Sequence, residues 1–228
     1  MARRKPRIYT VAMTKGGQTK TTQALGIAAI LAEAKQPVVV FDTDQTNTNM
    51  TKFLRKRTLA LKEQGEGPGI PFYQVNSSEE LQRAVQKEFE AGRNCVIDCA
   101  PTTDAATISA MLLADVILLP VRQGAVEVEA LERVGPILQA VVISAKKSGI
   151  KPPQVYSLLA DYKNTLTGRE IRELLINFEG VEFLGEVPHS EVIGRCIREG
   201  FAFWEKWPSR LRAVEYREML ASAVGRGY

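Results

Sequence analysis

The sequence predicts an α/β fold: a mostly parallel twisted sheet of about seven or eight strands with helices on both faces. Short apolar runs of four to six residues recur along the chain, as strands buried on both faces require. Segments of helical length, with apolar residues at spacings of three and four, separate those runs, which is the pattern of βαβ units. The first run also leads directly through a glycine-containing loop into a helix, the setting in which backbone amides and a helix N-terminus meet an anion.

In chain order, the expected strands are Ile8–Met13, Val38–Phe41, Phe72–Val75, Cys95–Asp98, Val116–Pro120, Val155–Ala160 and Phe183–Val187. Each is apolar and rich in β-branched or aromatic residues. The expected helices are Thr21–Ala34, Ser78–Ala91, one between Pro101 and Ala114, Val126–Ser148, Gly168–Asn177 and a final one over Ser209–Val224. Ser77 or Ser78, followed by Glu79 and Glu80, supplies a cap and an acidic first turn for the second of these. The stretch Glu63–Gly69 holds three glycines and a proline, so it is expected to be an exposed loop.

The 228 residues suit one domain, 1–228, and the 45% hydrophobic and 25% charged composition excludes a disordered chain. No uncharged apolar run of about 18 residues occurs, so a cytoplasmic protein without a membrane anchor is expected, with nucleoid association as an option. Cys95, Cys99 and Cys196 lack the spacing of a zinc site or disulfide framework and read as small buried hydrophobes. The net charge of +4 is mild. Basic residues cluster at Arg3-Arg4-Lys5-Arg7, at Lys52-Arg55-Lys56-Arg57, and across Arg195, Arg198, Lys206, Arg210 and Arg212; these are either solvated faces or a surface for nucleic-acid phosphates.

The loop Thr14-Lys15-Gly16-Gly17-Gln18-Thr19-Lys20-Thr21-Thr22 carries the chemistry. Small residues admit the phosphates, Lys20 would reach the β and γ phosphates, and the Thr21 hydroxyl would ligate magnesium. Asp98, closing an apolar strand, would hold the magnesium shell through water. Asp44 would orient the attacking water, and Asp42 would support the metal or cap the loop. The pattern G-x-x-x-x-G-K-[ST] is not met, since Thr14 and Thr19 replace its glycines. What these residues resemble, apart from one position, is the deviant loop K-G-G-x-G-K-[ST]-[ST] of the ParA and MinD family of ATPases.

Three further segments carry the same resemblance: Asp42-Thr43-Asp44-Gln45-Thr46-Asn47, Asp98-Cys99-Ala100-Pro101, and Phe183-Leu184-Gly185-Glu186-Val187-Pro188 with the Arg- and Trp-containing region after it. The resemblance implies ATP or ADP with Mg2+ as ligands, bound by Gly16, Gly17, Gln18, Thr19, Lys20, Thr21, Thr22 and Pro188. It implies catalytic Lys15, Lys20 and Asp44, a metal held by Thr21, Asp44 and Asp98, and base contacts near Asp161, Lys163 and Asn164. In that family Lys15 reaches across a nucleotide-sandwich homodimer to the partner's phosphates. Members act on plasmid DNA with an adaptor or centromere-binding protein, and some, of the StbB type, serve stability and conjugation. Arg195, Arg198, Arg210 and Arg212 are the DNA-contact candidates.

Other functional classes remain: a MinD-like membrane regulator, a non-hydrolysing adaptor and a biosynthetic ligase. The C-terminal Ala221–Tyr228 offers too little apolar surface to lie on lipid, and no second cluster of substrate-binding residues stands out. His189 reads as an exposed loop residue or a base, and Trp204 and Trp207 as packing or base stacking. Thr19 stands where glycine is usual; a positive φ there would cost about 1–3 kcal/mol, so slow ATPase activity is expected, and Thr19→Gly would tighten nucleotide binding.

Overall fold

The computed structural model describes residues 5–17 and 19–225. Its seven strands are β1 (Ile8–Val11), β2 (Val38–Asp42), β3 (Phe72–Gln74), β4 (Asn94–Asp98), β5 (Val116–Arg122), β6 (Gln154–Tyr162) and β7 (Glu182–Pro188). They form one sheet in the order β3-β2-β4-β1-β5-β6-β7. Every pairing is parallel, so every connection is a crossover.

Alternation along the strands divides the core. Tyr9, Val11, Val40, Val96 and Leu118 face one side, where α1 (Lys20–Glu33), α2 (Asn49–Glu63), α7 (Glu191–Arg198), α8 (Phe203–Lys206) and α9 (Leu211–Val224) pack. Ile8, Val39, Phe41, Ile97 and Leu119 face the other, under α3 (Ser78–Glu90), α4 (Ala105–Leu113), α5 (Ala125–Lys147) and α6 (Leu166–Ile176). The result is the three-layer architecture that the apolar runs predict.

Helix starts follow side-chain chemistry. The Ser77 hydroxyl accepts from the Glu80 amide at 3.1 Å, Asp104 accepts from Thr107 at 2.8 Å, and Thr165 accepts from Gly168 at 3.1 Å. The loop after α2 turns at Gly65, φ 74°, and continues to Gly69, as its glycines require. Cys95, Cys99 and Cys196 are buried free thiols, and burial pushes the Cys95 thiol up to about 12. Among the described residues no helix is long and apolar enough to cross a membrane.

Helices α2, α7 and α8 have no counterpart among the expected elements. Helix α2 buries only Met50, Thr51, Leu54 and Arg57, leaving Lys52, Arg55 and Lys56 on its exposed side, so its apolar stripe is too thin to announce a helix. It is held by contacts with residues distant in sequence. Arg57 donates to both oxygens of Glu205, at 2.8 and 2.6 Å, and to the Gly200 carbonyl at 3.2 Å.

Candidate functional site

Parallel pairing sets the C-terminal ends of β1, β2 and β4 side by side: Val11 and Asp42 are both in register with Asp98. The loop leaving β1 therefore faces the two acidic strand ends, at the edge where open parallel sheets take ligands. Thr43 stitches this edge together: its amide donates to the Asp98 carbonyl at 3.1 Å and its hydroxyl accepts from the Ala100 amide at 3.0 Å.

A cavity of about 410 Å³ opens there. Its floor is Gly16, Gly17, Thr19, Lys20, Thr21 and Thr22, with Asp44 and Asp98 beside them. Asn47, Asn49 and Phe53 of the β2–α2 loop and α2, and Gly194, Ile197 and Arg198 of α7, also line it. The structure thus brings together most of the residues expected to bind phosphate and metal. Gln18 lies outside the described residues. Lys15 is half-buried, and its carbonyl accepts from Lys20 Nζ at 2.9 Å. Pro188 is not in this cavity; it ends β7 and lines a separate one of about 400 Å³ with Phe203, Arg210, Arg212 and Tyr216.

Three carboxylates and one ammonium dominate the electrostatics. Lys20 is 7% exposed; burial lowers its pKa, and Asp98, Cys99 and Asp44 oppose that shift. Asp42 is committed to structure, accepting the amides of Thr51 at 2.9 Å and Asp44 at 3.1 Å. Of the two roles expected for Asp42, the loop cap is the one its contacts fill. Burial raises its pKa. Asp44 accepts the amides of Thr46 and Asn47 at 3.0 and 2.9 Å and the Asn47 side chain at 3.0 Å. Burial works to raise its pKa, but the bonds from Asn47 and Thr46 and the Lys20 charge outweigh it and hold the group below the ordinary value.

Asp98 differs. It is 2% exposed, and burial, with the Asp42 charge, pushes its pKa up to about 8 against the Thr21 hydrogen bond and the Lys20 charge. Its Oδ1 is buried with no hydrogen-bond partner. Such an orphan acceptor beside a threonine hydroxyl and a lysine is suited to a hydrated divalent cation. The shift also gives a pH signature. A carboxyl whose folded pKa lies above its unfolded value of 3.8 loses stability for the fold as pH rises from about 4 to about 8, because the unfolded chain gives up its proton first. Asp98→Asn is therefore expected to raise the melting temperature of the nucleotide-free protein at pH 7, with a gain that shrinks toward pH 4. The same substitution should weaken any Mg2+-dependent nucleotide binding by about tenfold or more. Melting curves against pH, with a Mg2+ titration, check both.

Thr19 has φ 62° and ψ 19°, so the positive φ that its β-branched side chain disfavours is adopted. Its hydroxyl accepts from Gln23 Nε2 at 3.2 Å. Because the strain is already present in the folded chain without nucleotide, relieving it acts on folding before binding. Thr19→Gly is accordingly expected to raise stability by about 1 kcal/mol, read as a melting-temperature rise of roughly 2–4 °C, while affinity changes by less than about threefold. This amends the tightening expected from sequence.

Away from the cavity, His189 pairs with Asp161, which also holds Arg122; burial raises the Asp161 pKa, but these two partners outweigh it and keep it low. Trp204 is buried edge-on against Tyr216, centroids 5.4 Å apart, whereas Trp207 is 41% exposed under Arg210. Arg195, Arg210 and Arg212 are exposed, and Arg198 lines the cavity from α7. The sequence reading missed Asn49, Phe53, Gly194 and Ile197, which sit on α2 and α7, two of the three helices it did not foresee.

No curated protein matches the sequence. Solved structures of similar fold include an ATP complex of a McdA variant from Cyanothece, with a TM-score of 0.76, 17% identity and 98% of each chain covered. A plasmid partition protein from Borrelia burgdorferi B31 bound to AMPPNP gives a TM-score of 0.66 at 19% identity, over 96% of this chain and 98% of that one. MinD from Pyrococcus horikoshii with Mg-ADP gives 0.67 at 20%, over 97% and 96%. The family model described as "CobQ/CobB/MinD/ParA nucleotide binding domain" matches residues 9–201. With the phosphate loop, the acidic strand ends and most of the chain inside that match, this protein belongs to the CobQ/CobB/MinD/ParA family of nucleotide-binding domains.

Proposed function

We propose that this chain is an ATP-binding, slowly hydrolysing ParA-like ATPase, built as a single domain over residues 1–228, that dimerises on nucleotide and helps position or segregate plasmid DNA. The observation that carries the reading is the cluster of Lys20, Thr21 and Asp98 at the start of α1, with the orphaned Asp98 Oδ1 beside the lysine. Loop amides at Gly16, Gly17 and Thr22 and the positive end of α1 hold the phosphates. Lys20 would neutralise the β and γ phosphates, and Thr21 and Asp98 would hold Mg2+, which would supply charge stabilisation to the phosphates. Lys15 serves the partner protomer of the dimer, and Asp44 orients the attacking water.

Non-specific DNA is the second ligand of this reading. Exposed Lys52, Arg55 and Lys56 on α2 lie on the same layer as exposed Arg195 and Arg198 on α7, and Lys56 Nζ donates to the Arg198 carbonyl at 3.2 Å, so the two basic groups are neighbours. A basic face of this kind supports phosphate binding whose affinity falls steeply with salt. A plasmid-encoded adaptor or centromere-binding protein completes the system in this reading.

A second reading, the non-hydrolysing adaptor, is favoured by one observation: Asp44 is already occupied by the amides of Thr46 and Asn47. ATP turnover of wild type and Asp44→Ala, each with and without duplex DNA, separates the two. The hydrolase reading expects a slow wild-type rate, raised by DNA or a partner, and an Asp44→Ala rate lower by about a hundredfold with ATP still bound. Equal rates in both proteins would leave the adaptor.

A further inference from the structure

The phosphate loop is tied to the C-terminal helix by a buried hydrogen-bond relay. Thr19 is the residue before α1, where a threonine hydroxyl ordinarily caps the helix by accepting from an amide of the first turn. Here it makes no such bond. Its hydroxyl accepts from Gln23 Nε2 at 3.2 Å, and its carbonyl accepts from the Gln23 amide at 3.1 Å, so one residue grips Thr19 twice. Gln23 is 1% exposed, and its Oε1 accepts from the Tyr216 hydroxyl of α9 at 2.6 Å.

Tyr216 is itself fixed. Its ring packs edge-on against Trp204, whose Nε1 donates to Glu33 at 2.8 Å; Glu33 also holds Arg217 at 2.9 Å. Gly26 lies between Gln23 and Glu33, and a Cβ on it would come within 2.7 Å of Leu220 Cδ1 and 3.1 Å of Trp204. Helix α9 is therefore seated closely along α1, and this packing holds the Tyr216 hydroxyl against Gln23.

We propose that Gln23 and Tyr216 are positioning residues for the phosphate loop, holding Thr19 in the left-handed conformation that glycine would adopt unaided, and so linking nucleotide binding to the docking of α9. The inference rests on the reading of that loop as the nucleotide site. Without the Tyr216 hydroxyl, the Gln23 amide oxygen loses the donor that orients it. Thr19 then relaxes out of positive φ, and binding must restore the strained form.

The test combines Tyr216→Phe, which keeps the ring against Trp204, with Thr19→Gly, whose backbone needs no support. Gln23→Met is a second way to break the relay. Amide hydrogen exchange over residues 16–23 in the nucleotide-free proteins and ATP affinity by calorimetry are measured for wild type, both single variants and the double variant. Tyr216→Phe is expected to speed exchange in the loop and weaken ATP about fivefold in the Thr19 protein, with no effect on affinity in the Thr19→Gly protein. Gln23→Met should behave as Tyr216→Phe does. A purely structural Tyr216 would lower affinity equally in both backgrounds, which overturns the proposal, as would unchanged loop exchange. If wild type binds no ATP, the nucleotide reading fails, while the exchange comparison still decides the relay.

Discussion

Replacing Lys20 with alanine is expected to lower ATP affinity by about a hundredfold and to bring turnover to background, without unfolding the protein. The ammonium is 7% exposed and donates to the Lys15 carbonyl at 2.9 Å, which aims it across the base of the phosphate loop. Asp98 and Asp44 lie close enough to stabilise its charge. Without Lys20, a triphosphate would enter a cavity bordered by carboxylates and no buried cation. Charge-assisted contacts to phosphate contribute roughly 1.5–3 kcal/mol each, and the lost attraction compounds with uncompensated repulsion, which is the source of the hundredfold. Stability moves the other way or little, because burial already works against the ammonium and lowers its pKa. Calorimetry and a phosphate-release assay, beside a melting curve, separate lost chemistry from lost fold. ATP binding within threefold of wild type would remove Lys20 from the site.

The parts of this arrangement visible in the sequence are the local ones. A strand that ends in small residues and runs at once into a helix announces itself, and so does Asp98 at the end of the apolar run Cys95–Ile97. Five of the six crossover helices, α1, α3, α4, α5 and α6, are announced by helical-length segments between the apolar runs. What was hidden depends on partners far apart in the chain. Helix α2 is polar on most of its surface and is held through Arg57, 148 residues before Glu205, so no periodicity reveals it. Much of the cavity lining beyond the phosphate loop comes from α2 and α7, and Phe53, Gly194 and Ile197 were therefore illegible. At Thr19 the sequence raises the question of a positive φ, but the reason it is tolerated lies in Gln23 and Tyr216, the latter almost at the end of the chain. The Thr19 hydroxyl already has an internal partner in Gln23 Nε2.

Arg57 carries the largest expected effect on stability. Its guanidinium makes a forked pair with Glu205, with side-chain exposures of 9% and 14%, and lies 4.9 Å from the centre of the Phe201 ring. Glu205 also accepts from the Ala202 amide at 2.6 Å, so it sits inside the turn that leads from α7 to α8. Gly200, φ 86°, allows that turn to press on α2: a Cβ there would meet the Phe53 carbonyl at 2.2 Å. Arg57→Ala would leave Glu205 largely buried without its counter-charge, a change that costs about 3 kcal/mol and lowers the melting temperature by roughly 6–12 °C in a chain of this size. Nucleotide affinity should fall with it, because Phe53 on α2 and Ile197 on α7 both line the cavity and this contact ties α2 to the turn that follows α7. The paired replacement Arg57→Met with Glu205→Leu distinguishes charge from packing. Removing both charges takes away the desolvation cost together with the attraction, so the double variant is expected to recover most of the stability that the single variant loses. If Arg57→Ala melts within about 2 °C of wild type, the fork is incidental and Met50, Leu54 and the Thr51–Asp42 bond hold α2 without it; if it melts low but binds ATP normally, the fork stabilises the fold without shaping the cavity.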